Sequence, residues 1–257
     1  MANVVIHNLE HQKIEKLDVP NELSSLFEYF WKVTWDVPDA KYKVQKILTE
    51  PKADIYIEQD SGIWKLSEIR RTIFEYKLAG QGAVFGIKLR PASQYMFLSG
   101  GDAVSLRHFP VVNFDSDFES IVVAINDYLF ELSLSATREM RLVNQILDRL
   151  SGANRLNSVT EVLEEFDVES RQVQRLFQKH IGLSLKWIIC RYRSLEAVML
   201  SKEQDPDWRA IAYDLGYSDQ SHFIRDFKEN CGVTPNDYNR LYRESISPCV
   251  HVEARHS

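Results

Sequence analysis

Cysteine is scarce in this sequence: Cys190, Cys231 and Cys249 are its only three, and no CxxC occurs. An odd, dispersed set excludes a disulfide-stapled scaffold and a cysteine-based metal finger. It fits thiols that lie buried or idle in a reducing cytoplasm. Long hydrophobic runs are also missing. No window approaches ~18 uninterrupted apolar residues, so no membrane span is expected. The opening MANVVIHNLEHQKIEKLDVP lacks the basic start and apolar stretch of a secretion signal. There is no basic excess. The net charge is −6, and in residues 151–257 14 Lys+Arg meet 16 Asp+Glu. Any nucleic-acid binding must therefore rest on locally placed cations rather than bulk attraction. The motifs of common enzymes are absent too: there is no GxSxG, P-loop or GxGxxG, and His7, His11 and His108 are scattered without ligand spacing. Neither catalysis nor a metal or cofactor is expected.

What is present divides into two patterns. Hydrophobic residues at 44% and charged residues at 26% suit a globular chain, and 257 residues suit two domains of ordinary size. Up to about residue 115 the hydrophobic period is two. Trp31, Val33, Trp35 and Val37 alternate with Lys32, Thr34 and Asp36; Ile55 and Ile57 alternate in DIYIEQD; Phe74, Tyr76 and Leu78, then Ala83, Phe85, Ile87 and Leu89, do the same. With EQDSG and LAGQG read as separators, this predicts short antiparallel strands with one buried face, in a β-sandwich or barrel-like domain. From Phe118 the period becomes helical, through Ile121, Val122, Ile125 and Leu129 and again from Met140 to Leu150. The stretch SGANRLNS (151–158) is the candidate linker. The expected organisation is α+β: a β-rich regulatory domain at 1–115, a helical segment at 116–150, an all-α domain at 151–245 and a flexible tail at 246–257. Trp31, Trp35, Tyr56 and Trp64 either line a pocket or fill the core. The 116–150 helices either pack on their own domain or form a dimer seam.

The all-α part contains one plan twice. A helix through Val159, Val162, Leu163 and Phe166 breaks at Asp167, a residue type that tolerates a left-handed turn. A second helix begins near Ser170 and turns Val173, Leu176 and Phe177 to one face and Arg171, Gln174, Arg175 and Gln178 to the other. Gly182 ends it. Then DWRAIAYDL forms a helix, Gly216 supplies the turn, and Ser218 or Asp219 caps the next helix. Phe223 and Phe227 point inward there. Ser221, His222, Arg225 and Lys228 lie roughly opposite, with Gln220 nearer the buried edge. A helix through Trp187, Ile188, Tyr192, Leu195 and Val198 joins the two helix-turn-helix units. Arg and Gln are the side chains that pair with guanine and adenine edges, yet similar turns also occur in ordinary bundles whose polar faces only meet water.

The stretch IAYDLGYSDQSHFIRDFKENCGVTPNDY resembles the signature of the AraC/XylS family of bacterial transcription regulators. QVQRLFQKHIGLS and RYRSLEA are similar to that family's upstream half, so the likeness covers about 100 residues in fixed order. FWKVTWDV, ILTEPKADIYIE and KLAGQGAVFGIKLRPA resemble, more diffusely, a sensor-like domain often fused to such units. The resemblance implies base- or phosphate-contacting roles for Arg171, Gln174 and Arg175 in the first recognition helix, and for Gln220, Ser221, His222 and Arg225 in the second. It implies fold-holding roles for Ala212, Gly216, Phe223, Phe227, Gly232 and Pro235. The chain departs from the family at Asp167, Glu169 and Leu185, and LRPASQY replaces a more usual glycine-containing turn. Glu169 either caps the first recognition helix or repels phosphate at its mouth.

The expected mechanism is two recognition helices held by one connecting helix and reading major-groove segments roughly 34 Å apart. Lys179, Lys186, Arg193 and Lys228 are the phosphate-contact candidates, with Arg193 alternatively a buried partner inside the connecting helix. The expected partners are double-stranded DNA and, as further candidates, RNA polymerase, a small-molecule effector and a second copy of the chain. The competing expectation is a helical protein-interaction module, on a ligand-binding β domain, that has lost DNA binding.

Overall fold

The computed structural model describes residues 12–98, 104–152, 155–201, 206–242 and 246–249. His7, His11 and the tail beyond Cys249 lie outside them. The amino-terminal part is a sheet of β1 (Gln12–Asp18), β2 (Phe27–Thr49), β3 (Asp54–Glu58), β4 (Trp64–Leu66) and β5 (Phe74–Leu89), in the order β1-β2-β5-β3-β4 with antiparallel neighbours. Residues Ile246–Cys249, assigned to the tail by sequence, form a strand β6 that pairs in parallel with Lys46–Thr49 of β2.

The register shows which face of the sheet is inward. Lys32, Phe85 and Ile57 form one cross-strand row, and Phe30, Ile87 and Ile55 the next. All six are buried, and Phe30 stacks on Phe85 with centroids 6.2 Å apart. The alternation read from the sequence is present, but the Trp31–Trp35 face is the outer one. Lys32 tolerates the inner face because its ammonium donates to the carbonyls of Phe114 and Ser116 at 3.1 and 3.2 Å. On the outer face Trp31 and Trp35 lie over the glycines they pair with, Gly86 and Gly82. The four aromatic pocket candidates therefore do not share a cavity. Trp31, Trp35 and Tyr56 are half-buried outside, while Trp64 is core and donates to the Pro110 carbonyl at 2.8 Å.

LAGQG does not separate two strands. Gly80 takes a φ of +57° within β5, opposite the register shift between Val37 and Tyr42, and the strand bends there and continues.

Two helices follow, α1 (Phe118–Glu131) and α2 (Arg138–Ser151), each capped by a side chain accepting a backbone N–H: Asp117 from Ser120 and Thr137 from Met140. Their apolar faces join the sheet's core. The segment Pro91–Phe97 is a 3-10 turn packed between α2 and the helices beyond it. Those helices are α3 (Val159–Phe166), α4 (Ser170–His180), α5 (Leu185–Leu200), α6 (Trp208–Asp214), α7 (Gln220–Cys231) and α8 (Pro235–Tyr242). One apolar core runs from the sheet into this helical part. Beside it lies a charged seam: Lys52 pairs with Glu28 and Glu50 at 3.1 and 3.0 Å, and Arg90 reaches Asp148 of α2 at 2.6 Å. Burial opposes the charge on Lys52, but the two carboxylates overcome it and raise its pKa.

Candidate nucleic-acid interface

The first helix pair turns at Asp167, which takes φ 48°, ψ 55°, while the Val168 N–H returns to the Leu163 carbonyl at 3.2 Å. A non-glycine residue in this left-handed conformation is uncommon, and aspartate is among the few that adopt it readily. Glu169 sits at the cap position of α4 without making a side-chain capping bond. Val173, Leu176 and Phe177 are buried, and α4 packs on α5, α2 and the 91–97 turn. Arg171, Gln174, Arg175 and Gln178 are exposed. Gly182, at φ +75°, ends the helix by donating to the Phe177 carbonyl.

The second pair repeats the geometry with a glycine at the turn. Gly216 takes φ +78°, and Tyr217 donates to the Ala212 carbonyl at 3.0 Å. Asp219, rather than Ser218, caps α7 by accepting the His222 N–H at 2.9 Å. Phe223 and Phe227 turn inward onto Trp208, with centroids 6.1 and 5.8 Å away, and Phe227 meets Tyr238 at 5.7 Å. Gly232, at φ +80°, terminates α7. Pro235 does more than stop it: it begins α8, with Thr234 Oγ1 accepting the Asp237 N–H at 3.2 Å.

Gln220, Ser221, Arg225 and Lys228 are exposed, Gln220 more fully than its expected edge position suggested. His222 is half-exposed, 3.5 Å from its own helix's Asp226, whose carboxylate also accepts the Cys190 thiol at 3.2 Å. Burial pushes that thiol up to about 12, so it stays protonated. Cys231 is raised likewise by burial.

The phosphate candidates separate. Lys186 and Lys228 are exposed, and no ion pair is formed by either among the described residues. Lys179 is tied to Glu139 of α2 at 2.6 Å and sits 5.4 Å from the Tyr95 ring. Arg193 is turned inward: its guanidinium lies 4.7 Å from the Tyr217 ring and donates to the Asn157 carbonyl. Arg193 is thus half-buried and engaged by residues outside the connecting helix, a geometry closer to its pairing alternative than to a free phosphate contact.

The connecting helix α5 has 16 residues, a strut of about 24 Å. It packs on α3, α4, α6 and α7, and both polar faces are left outward on units that share one core.

This arrangement coincides with a known family: residues 162–241 match the family described as "Helix-turn-helix domain". The helical part is an AraC-type helix-turn-helix domain. Ahead of it, residues 17–107 match a domain of unknown function, DUF6597. The chain is also similar to curated proteins. One is the transcriptional activator RhrA of Rhizobium meliloti, 31% identical over 35% of this chain and 29% of RhrA. Another is an HTH-type transcriptional regulator of Haemophilus influenzae, 28% identical over 52% of this chain and 48% of its own length. A third is the regulatory protein HptR of Staphylococcus aureus, 28% identical over 37% of this chain and 38% of HptR. The chain thus spans less than half the length of these relatives. A solved structure of ToxT from Vibrio cholerae aligns over 78% of this chain and 96% of ToxT, at 13% identity with a TM-score of 0.36, a likeness too loose to bear on fold or function.

Two residues that the sequence did not single out matter to the geometry of the AraC-type domain. Arg191 and Gln94 are buried, and they donate to main-chain carbonyls at the ends of α7 and α4 respectively. Neither has a local sequence signal, because the acceptors lie 39 and 86 residues away. Among the described residues no helix is long and apolar enough to cross a membrane, and no cluster of metal-ligating side chains occurs.

Proposed function

We propose that the chain is a sequence-specific DNA-binding transcriptional regulator. In this reading α4 and α7 enter successive major-groove segments, and the protein acts in the cytoplasm under control of its β-rich half. The observation that carries it is the pair of exposed faces. Arg171, Gln174 and Arg175 on one helix and Gln220, Ser221 and Arg225 on the other project from cored helix-turn-helix units, and the arginines have no intramolecular ion pair among the described residues. Bidentate pairing of arginine to guanine and of glutamine to adenine gives such a face its specificity. Lys186 and Lys228 set the register on phosphates, and His222 contributes from the edge of the second face. RNA polymerase, a small effector and a second copy of the chain are further partners in this reading. Support for DNA comes from the helix-turn-helix match and from the transcriptional names of the relatives.

The test is selection of duplexes from a random-sequence pool, followed by titration at several salt concentrations. A regulator enriches a sequence, and its affinity falls linearly in log–log form with a slope of about −0.9 per phosphate neutralised. A chain that retains no duplex at low salt is instead a protein-docking module.

A further inference from the structure

Both recognition helices are gripped at their carbonyl ends from outside, and the amino-terminal half takes part each time. At the end of α4, the Gln94 side-chain amide donates to the carbonyls of His180 and Ile181 at 3.0 and 3.1 Å. Gln94 is buried in the 91–97 turn, and that turn is itself fixed to α2 by the Ala92 N–H donating to Asn144 Oδ1 at 2.9 Å. At the end of α7, Arg191 of α5 donates to the Asn230 carbonyl. Its remaining donors go to the carbonyls of Thr49 at 2.9 Å, Arg70 at 3.3 Å and Arg71 at 3.4 Å, all in the β-rich half. Arg191 is fully buried.

The connecting helix alone does not fix the tilt of its neighbours, since helix crossing angles of one packing class scatter by about ±15–20°. An 11-residue helix such as α4 is about 16 Å long. A 15° tilt swings its free end by about 4 Å, more than the roughly 3.4 Å between successive bases on a strand. A donor holding the carbonyl end fixes the pivot and restricts that freedom. The amino ends, which recognition helices present to the groove, remain open.

We propose that Gln94 and Arg191 are positioning residues through which the amino-terminal half fixes the spacing of the two recognition helices, so that a bipartite DNA element is read with a set number of base pairs between its halves. The inference rests on the DNA-binding reading above.

The test uses the full chain. The wild type is first used to select its preferred duplex from a random pool. Affinities are then measured for that duplex and for versions with one base pair inserted or removed between the halves, for wild type, Gln94→Leu, Gln94→Glu and Arg191→Met. Wild type should lose about tenfold or more on a one-pair change, a typical cost for a mismatched position. The Gln94 variants should lose less than about threefold, with affinity for a single half unchanged, because a merely structural defect would weaken all duplexes together. Arg191→Met removes the donor to four carbonyls and is scored only where it folds, so the Gln94 variants decide. A folded Gln94 variant with the spacing preference of wild type overturns the inference and leaves DNA binding intact. A wild type that enriches no duplex overturns both.

Discussion

Trp31 lies across Gly86, its cross-strand partner, filling the space that a side chain there would need. Its indole N–H continues to Asp54 Oδ1 at 3.0 Å, and that carboxylate also pairs with Lys88 at 2.8 Å. The glycine thus admits an aromatic cover to the open face of the sheet, between β2 and β3. Gly86→Ala should destabilise the chain by about 1–3 kcal/mol, the usual cost of overpacking, and should shift tryptophan emission. Urea melts of Gly86→Ala, Trp31→Ala and the double variant check this. The two costs should be strongly non-additive because both act in one space.

In the second unit, Phe227→Ala and Arg225→Ala should separate stability from binding. Phe227 is fully buried among Trp208, Phe223 and Tyr238, so its truncation should cost about 3–5 kcal/mol in a denaturant melt. Arg225 is exposed, and Arg225→Ala should leave stability within about 0.5 kcal/mol. Its loss should appear as about 1–3 kcal/mol of weaker binding to the selected duplex.

Asp167 holds a left-handed backbone that costs a residue with a Cβ roughly 1–2 kcal/mol. Asp167→Gly should therefore stabilise the chain by up to about 1 kcal/mol, once the greater entropy of an unfolded glycine is offset. Asp167→Val should destabilise it. Thermal melts of the two variants give the sign.

Acid should loosen the contact between α4 and α2. His180 is buried, faces Glu139, Lys179 and the Tyr95 ring, and has its pKa lowered chiefly by burial, which outweighs the opposing pull of Glu139. A lowered base binds fewer protons folded than unfolded. Its contribution is complete above the ordinary value of about 6.5 and is lost as pH falls below it. Glu139, lowered by its bond to Lys179 and then by His180, adds a second loss beneath the ordinary carboxylate range. Melting temperature should fall from pH 7 to pH 5.5 in wild type, and His180→Gln should flatten that slope.

The helical half was legible because its signals are local. Caps, turn residues and the 3.6 period sit within a few positions of what they control, as at Asp167, Gly216, Asp219 and Gly232. The start of α8 rests on equally local signals, Thr234 capping, Pro235 at the first turn and Asp237 bonded back to Thr234. Alternation in β2 identified two faces but not which one is inward. That choice depends on whether the Lys32 ammonium finds acceptors, and they come from residues 114 and 116. LAGQG looked like a turn because Gly80 has turn geometry, yet a single left-handed glycine also bends a strand without ending it. For the recognition faces the sequence separated exposed from buried positions on both helices. It could not show that Arg193 is occupied by Tyr217 and Asn157, which lie 24 and 36 positions along the chain.

Arg191 carries its charge in the interior with main-chain carbonyls as its acceptors, and burial lowers its pKa to about 10. Three of its four acceptors belong to the β-rich half, so one buried cation ties the two halves together. Grafting this helical domain onto a foreign sensor would strand a cation without its ligands. A workable chimera must carry residues 49 and 70–71 along with it, or replace the arginine by an apolar residue.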